Sequence, residues 1–276
     1  MVVYYFLSLR KRVHAMLLAF NIGNTSISFG LWSDDGARLC FTADIAAHPA
    51  RSADEYAVLF GQIFALHGCS NTDISGVILA SVVPSLLDTV LAAVARLTPV
   101  RPAIVGPGLR SGILLRVDAP AQLGADLVAL AAGARRRAKG PAVIAALDTA
   151  TTLSVLDQDG AFCGCMILPG VGSSAAALAR DAAQLTEIAL YPPPSHVIGR
   201  NTVDSLRAGL LWGAAAQIDS LVGRIAEELG VGESELTLLA TGCYAGRVMP
   251  LCRRAHEICP TLLFEGLLEL WRVNRH

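Results

Sequence analysis

The feature that most constrains this chain is a layout that occurs twice. Leu17 to Phe20 is an apolar run broken by Asn21-Ile22-Gly23-Asn24-Thr25; an alternating strand pattern resumes from Ser26 to Trp32, and Asp34-Asp35-Gly36 turns the chain. Far downstream, Ala142 to Leu147 is wholly apolar and Asp148-Thr149-Ala150-Thr151-Thr152 follows. Leu153 to Leu156 then continues as strand, and Asp157-Gln158-Asp159-Gly160 turns into Ala161 to Leu168. Short apolar or alternating runs bounded by turn residues read as strands. Each half is therefore expected to open with strand, hydroxyl-rich turn, strand, acidic turn, strand. The layout repeats while the residues do not, as in an old duplication.

Helical periodicity marks Tyr56 to His67, Leu86 to Leu97 and Leu127 to Arg137, with a buried strand from Gly76 to Ser81 ending at Pro84. The remainder reads as mainly helical, with one late strand over Leu236 to Ala240 that turns at Thr241-Gly242. Strands alternating with helices predict an α/β architecture. Tyr191-Pro192-Pro193-Pro194 is a rigid loop too short to separate domains.

Composition narrows the functional classes. Hydrophobic residues make up 53% and charged residues 16% of 276, and the net charge is −1, so no basic surface for nucleic acid or anionic lipid is expected. Mean hydropathy is +0.51, yet Gly, Pro, Asp and Arg interrupt every apolar stretch short of the ~20 residues a membrane-spanning helix needs. Seven scattered cysteines predict free thiols packed in the core of a cytoplasmic protein rather than a disulfide or zinc framework. Met1 to Ala15 places apolar residues ahead of Arg10-Lys11-Arg12, the reverse of a signal peptide. It is expected to be an extension, with the fold starting at Met16.

Gly, Asn and Thr in a tight turn between strands aim N–H groups and hydroxyls at one spot, which suits phosphate oxygens. The same residues also make an ordinary hairpin turn. Two such turns facing each other, with Ala240-Thr241-Gly242 as a turn beneath a nucleobase, would clamp a nucleotide. Asp126, ahead of an amphipathic helix ending in Arg135-Arg136-Arg137, reads either as a first-turn acid or as a site carboxylate.

Eight segments in order carry a resemblance: Asn21 to Thr25, Ala80 to Pro84, Gly124 to Asp126, Thr149 to Thr152, Pro169-Gly170, Ile198 to Ser205, Ala240 to Gly242 and Phe264 to Leu267. Together they resemble the type III pantothenate kinases from Met16 onward. The resemblance implies two actin-like (ribonuclease H-like) α/β domains, 16–119 and 120–276, around an ATP-binding cleft. It implies phosphorylation of pantothenate by ATP, the first step toward coenzyme A, with Mg²⁺ and a monovalent cation (K⁺ or NH₄⁺), in a homodimer. By position, Asn21, Ile22, Gly23, Asn24, Thr25, Ser26, Ile27 and Ser28 would form the first phosphate loop. Thr149, Thr151 and Gly242 would help hold ATP, and Asp126 would take the proton of the acceptor hydroxyl. Gly124, Ala125, Leu127, Val117 and Thr202 would contact pantothenate.

Five positions depart from the family pattern. Asn21 replaces an Asp, Leu127 an Arg, Val117 an aromatic residue, Ala146 the Asp of the second loop, and Cys243 a Gly. Asp148, two residues from Ala146, would supply a shifted metal-binding charge if the strand continued. The departures also fit a catalytically impaired paralogue that binds nucleotide or pantothenate as a regulatory protein. A kinase for another substrate or a nucleotide-dependent hydrolase on the same fold is the third reading.

Overall fold

The structure, a computed structural model, describes residues 16–33 and 35–275. The extension at 1–15 lies outside them. Two five-stranded mixed sheets form the frame. In the first, β1 (Met16–Ile22) pairs antiparallel with β2 (Ser26–Trp32), and β2 pairs antiparallel with β3 (Leu39–Ala46). After α1 (Ala53–Leu66), β4 (Ile74–Ser81) returns parallel to β1, and α2 (Pro84–Leu97) leads to the edge strand β5 (Ala103–Ile104). Ser52 and Glu55 form a reciprocal capping box that starts α1, and Pro84 occupies the first turn of α2, where its missing N–H costs nothing.

The second sheet repeats the meander. Following α3 (Ala125–Arg137), β6 (Ala142–Leu147), β7 (Ala150–Leu156) and β8 (Phe162–Pro169) are antiparallel neighbours. Then come α4 (Val171–Asp181) and the long α5 (Thr202–Leu229), stopped by Gly230 in the left-handed conformation. β9 (Thr237–Thr241) pairs parallel with β6. The short α6 (Ala245–Val248), β10 (Glu257–Ile258) and α7 (Leu262–Asn274) complete the described fold. β10, a two-residue edge strand beside β9, has no counterpart in the sequence pattern.

Alternation along the strands sorts the cores. Leu18, Phe20 and Ile22 of β1 pack with α1 and α2, where Phe20, Phe29 and Phe60 form an aromatic cluster. Val143, Ala145 and Leu147 of β6 pack with α5. The opposite faces, Leu17 and Ala19 on one sheet and Ala142, Ile144 and Ala146 on the other, close on a single shared layer built from α3 and α7. Those helices cross backbone to backbone. A Cβ at Gly133 would lie 2.5 Å from the carbonyl oxygen of Leu262, and one at Gly266 would overlap the carbonyl of Ala129. Arg136–Glu269 and Arg137–Glu265 ion pairs flank the crossing. The start of α3, which carries Asp126, is thereby fixed between the two sheets.

Candidate active site

Both hydroxyl-rich turns lie at the same end of the molecule and touch. In the first, the Gly23 N–H donates to Ser26 O and the Ala47 N–H donates to Thr25 O. This leaves Asn24 and Thr25 exposed at the tip. In the second, Ser173 donates its hydroxyl to Thr149 O (2.6 Å). The Thr25 and Thr149 hydroxyls meet at 3.0 Å. Within the first loop, Ile22 and Ile27 are buried, so their side chains anchor the loop while the hydroxyls of Ser26 and Ser28 remain half-buried. Thr151 is buried in β7, which makes it a support for the second loop rather than part of its rim.

Asp126 sits in the first turn of α3 after Gly124, which occupies the cap position without offering a side chain. Its Oδ1 accepts the Leu127 N–H at 2.9 Å, so the carboxylate satisfies one of the helix's orphan donors. Gly124 leaves it room: a Cβ there would lie 2.5 Å from Asp126 Oδ1 and 3.7 Å from Val82. Burial holds the Asp126 carboxyl above the ordinary carboxylate range, against the pull of the Leu127 N–H, and the charge of Asp148 adds to the rise. A carboxylate so placed is a stronger base than one in water.

β6 ends at Leu147, so the alternation that would set Asp148 beside Ala146 stops one residue short. Asp148 instead turns toward the late turn, and its Oδ1 accepts the Cys243 N–H at 2.8 Å. Gly242 there has φ +94°, and a Cβ would meet Leu147 O at 2.5 Å and the Asp148 carboxylate at 2.8 Å, so both backbone sign and space require glycine. Although Cys243 is exposed as a residue, its sulfur is partly desolvated against Leu147 O, and this together with the Asp148 charge pushes the thiol up to about 12. All seven thiols are free, but Cys259 alone is fully buried; Cys165 and Cys243 are exposed, unlike the core thiols the composition suggested. Cys165 on β8 is near enough to Asp126 for that charge to raise its pKa, after burial.

The remaining expected contacts divide. Ala125 and Leu127 are buried in the α3–α7 layer, where Leu127 serves as a core residue. Val117 packs on the edge of the same layer, in a segment that Arg116 pins by pairing with Asp157 and Asp159. Thr202 opens α5 on the exposed surface behind its Asn201 cap, with no hydrogen bond to the Asp126 cluster among the described residues. Asn21 keeps a buried Oδ1 with no partner. Sequence reasoning passed over Ser173 and Asp44, since neither lies in a turn or a familiar motif.

Among the described residues no three His, Cys, Asp or Glu side chains are placed to enclose a metal. Mg²⁺ in phosphoryl-transfer sites uses one or two carboxylates together with phosphates and water. Asp126 and Asp148, close enough for their charges to interact, fit that count of carboxylates, and the partnerless Asn21 oxygen at the end of β1 is a further acceptor. Among the same residues, no helix is long and apolar enough to cross a membrane.

The profile of the family described as Type III pantothenate kinase matches residues 17–224. A type III pantothenate kinase of Roseiflexus sp. (strain RS-1) is 37% identical over 94% of this chain and 100% of its own length. One of Rubrobacter xylanophilus is 38% identical over 94% of this chain and 98% of its own. Among solved structures, Porphyromonas gingivalis acetate kinase superposes with a TM-score of 0.52 at 11% identity, over 94% of this chain and 99% of that one, a likeness of fold alone. The two meander-opened sheets around a shared helical layer are a pair of actin-like domains, and the chain belongs to the type III pantothenate kinase family.

Proposed function

We propose that this chain phosphorylates pantothenate with ATP, the first step of coenzyme A synthesis. One observation carries the reading beyond family membership: the two hydroxyl-rich loops meet at Thr25 and Thr149, and the charge of Asp148, next to Thr149, reaches the half-buried Asp126 carboxyl at the start of α3. Phosphoryl transfer asks the protein mainly for positioning and charge neutralisation. In this reading, Asn21 to Ser28 and Thr149 hold the phosphates, Thr151 supports the second loop, and the turn at Gly242 seats the nucleobase. Asp126 accepts the proton of the pantothenate hydroxyl, and its raised basicity favours that step. Gly124, Ala125, Leu127, Val117 and Thr202 shape the acceptor side. Mg²⁺ bound with the nucleotide would neutralise charge on the phosphates, with Asp148 and Asn21 as the residues that would help hold it, and a monovalent cation (K⁺ or NH₄⁺) would complete the set.

The division between domains falls near residue 119, and the active form is a cytoplasmic homodimer. Exposed Ile167 on β8, Leu178 on α4, Ile198 in the loop that follows and Val203 at the start of α5 support a subunit contact there. A coupled ATP assay with pantothenate, Mg²⁺ and K⁺ or NH₄⁺ tests the activity. Turnover lost in Asp126→Asn supports it, and turnover no higher than that variant's sinks it.

A second reading, a regulatory protein that binds nucleotide or pantothenate without turnover, draws on the burial of Leu127 at the position where the resemblance leads to the expectation of an Arg. Calorimetry showing binding in the absence of ADP release is its signature.

A further inference from the structure

Asn21, Ser28 and Asp44 stand directly opposite one another on β1, β2 and β3. Directly opposed residues of antiparallel strands share a face, so the three form one row. That face is the inner one. Leu17 and Ala19, which alternate with Asn21, pack in the α3–α7 layer, as does Trp32, which alternates with Ser28. A Cβ on Gly30, the residue between them, would touch Phe264 of α7 at 3.4 Å. Asp44 lies near the end of β3, so the row sits at the rim of the sheet beside the Gly23–Thr25 tip. The chemistry across the row is uneven. Ser28 donates its hydroxyl to the exposed Asp44 carboxylate, whereas the Asn21 Oδ1, though buried, accepts nothing.

A buried acceptor without a donor is uncommon and calls for an explanation, a bound water or ion among them. Water held on a divalent cation is a strong donor, and Mg²⁺ dehydrates reluctantly, so groups near it are commonly engaged through its water shell. We propose that Asp44 is a positioning residue for the nucleotide-bound divalent cation. Acting through Ser28 and the hydration shell, it supplies from the third strand the negative charge that Asn21 lacks. Neighbouring strands lie ~4.8 Å apart, so Asp44 is two strand spacings from Asn21 and cannot share an inner-sphere ligand position with it. It can share the water shell. The inference rests on the ATP-binding reading above but not on pantothenate as the acceptor.

The test compares nucleotide affinity with and without metal by calorimetry, and Mn²⁺ binding to the protein–ATP complex by electron paramagnetic resonance. Asp44→Asn is expected to weaken MgATP binding and Mn²⁺ retention about 10-fold, in the range seen for outer-shell metal partners, while ATP binding in EDTA stays unchanged. Ser28→Ala should give a smaller loss in the same direction. Asn21→Asp in the Asp44→Asn background should recover MgATP affinity, which a purely structural Ser28–Asp44 pair would not produce. Equal affinities of wild type and Asp44→Asn for MgATP, or equal losses with and without metal, overturn the proposal. A metal-selective loss in a protein that fails to phosphorylate pantothenate upholds it while the kinase reading falls.

Discussion

Thr25 and Thr149, 124 positions apart in sequence and carried by different sheets, share a 3.0 Å contact between their hydroxyls. The pair joins the two loops that flank the phosphates in the proposed reading, so the same groups would serve both contact between the sheets and ligand binding. Thr25→Val and Thr149→Val should each weaken ATP binding. In urea unfolding, the double variant should cost less than the sum of the singles by about 0.5–1 kcal/mol, as for two ends of one hydrogen bond. Additive losses would separate the two hydroxyls.

Asn21→Asp returns a carboxylate to the mouth of the first loop. We expect the rate at subsaturating Mg²⁺ to rise by up to about 10-fold, with a smaller gain at saturating metal, because a hard cation favours carboxylate oxygen. Initial rates over a Mg²⁺ series decide the matter, and an unchanged series would show that position 21 does not govern metal use.

Asp126 carries a pH signature. Its folded pKa lies above the ordinary 3.8, so the folded state favours the protonated form. That stabilising preference is fully present below 3.8 and is lost as pH rises through the folded value. The neutral Asp126→Asn variant should therefore melt higher than wild type at neutral pH, with the gap closing in acid below the ordinary carboxylate range. The acidic limb of kcat should stand above 3.8 in wild type. Melting curves and rate profiles across pH 3–8 report both.

Desolvation of its sulfur and then the charge of Asp148 push the Cys243 thiol up to about 12. Asp148→Asn removes the charge, so Cys243 should alkylate faster with iodoacetamide near pH 9, by several-fold in peptide mass spectrometry. Cys165, raised by burial and by Asp126 instead, should keep its rate and serves as the internal control.

Gly266→Ala forces a methyl into the carbonyl of Ala129. Overpacking of this kind costs about 1–3 kcal/mol, measurable as a lower denaturation midpoint. Because both sheets lean on the crossing, the unfolding transition should remain single.

Much of this was legible beforehand where a local rule applied. β6 occupies the wholly apolar run residue for residue, since a strand buried on both faces needs no alternation. The start of α3 reached back to Ala125, ahead of the expected Leu127, because Gly124 gives no capping signal. β10 was invisible because two residues carry no period. At the site, the facing turns were readable from hydroxyl spacing. Asp44 was not, because its nearness to Asn21 exists only through the register of two strand pairs. Cys165 and Cys243 differ from expectation for a related reason: an apolar surrounding sequence suggests burial, yet both are exposed, Cys165 on β8 and Cys243 in the turn after β9.

The layer shared by both sheets has a consequence for synthesis. Leu17 and Ala19 on β1 are covered by a cluster that includes Leu267 and Leu270 of α7, and Trp271 of α7 packs on Gly76 in β4. The first sheet can pair its strands once β4 has left the ribosome and can gain α3 soon after, but the part of its inner face that α7 covers stays bare until that helix arrives about 180 residues later. At ~5–20 residues per second that is an exposure of about 10–40 s for every nascent chain. The earliest-made strand of the fold thus waits for the last-made helix to complete its cover.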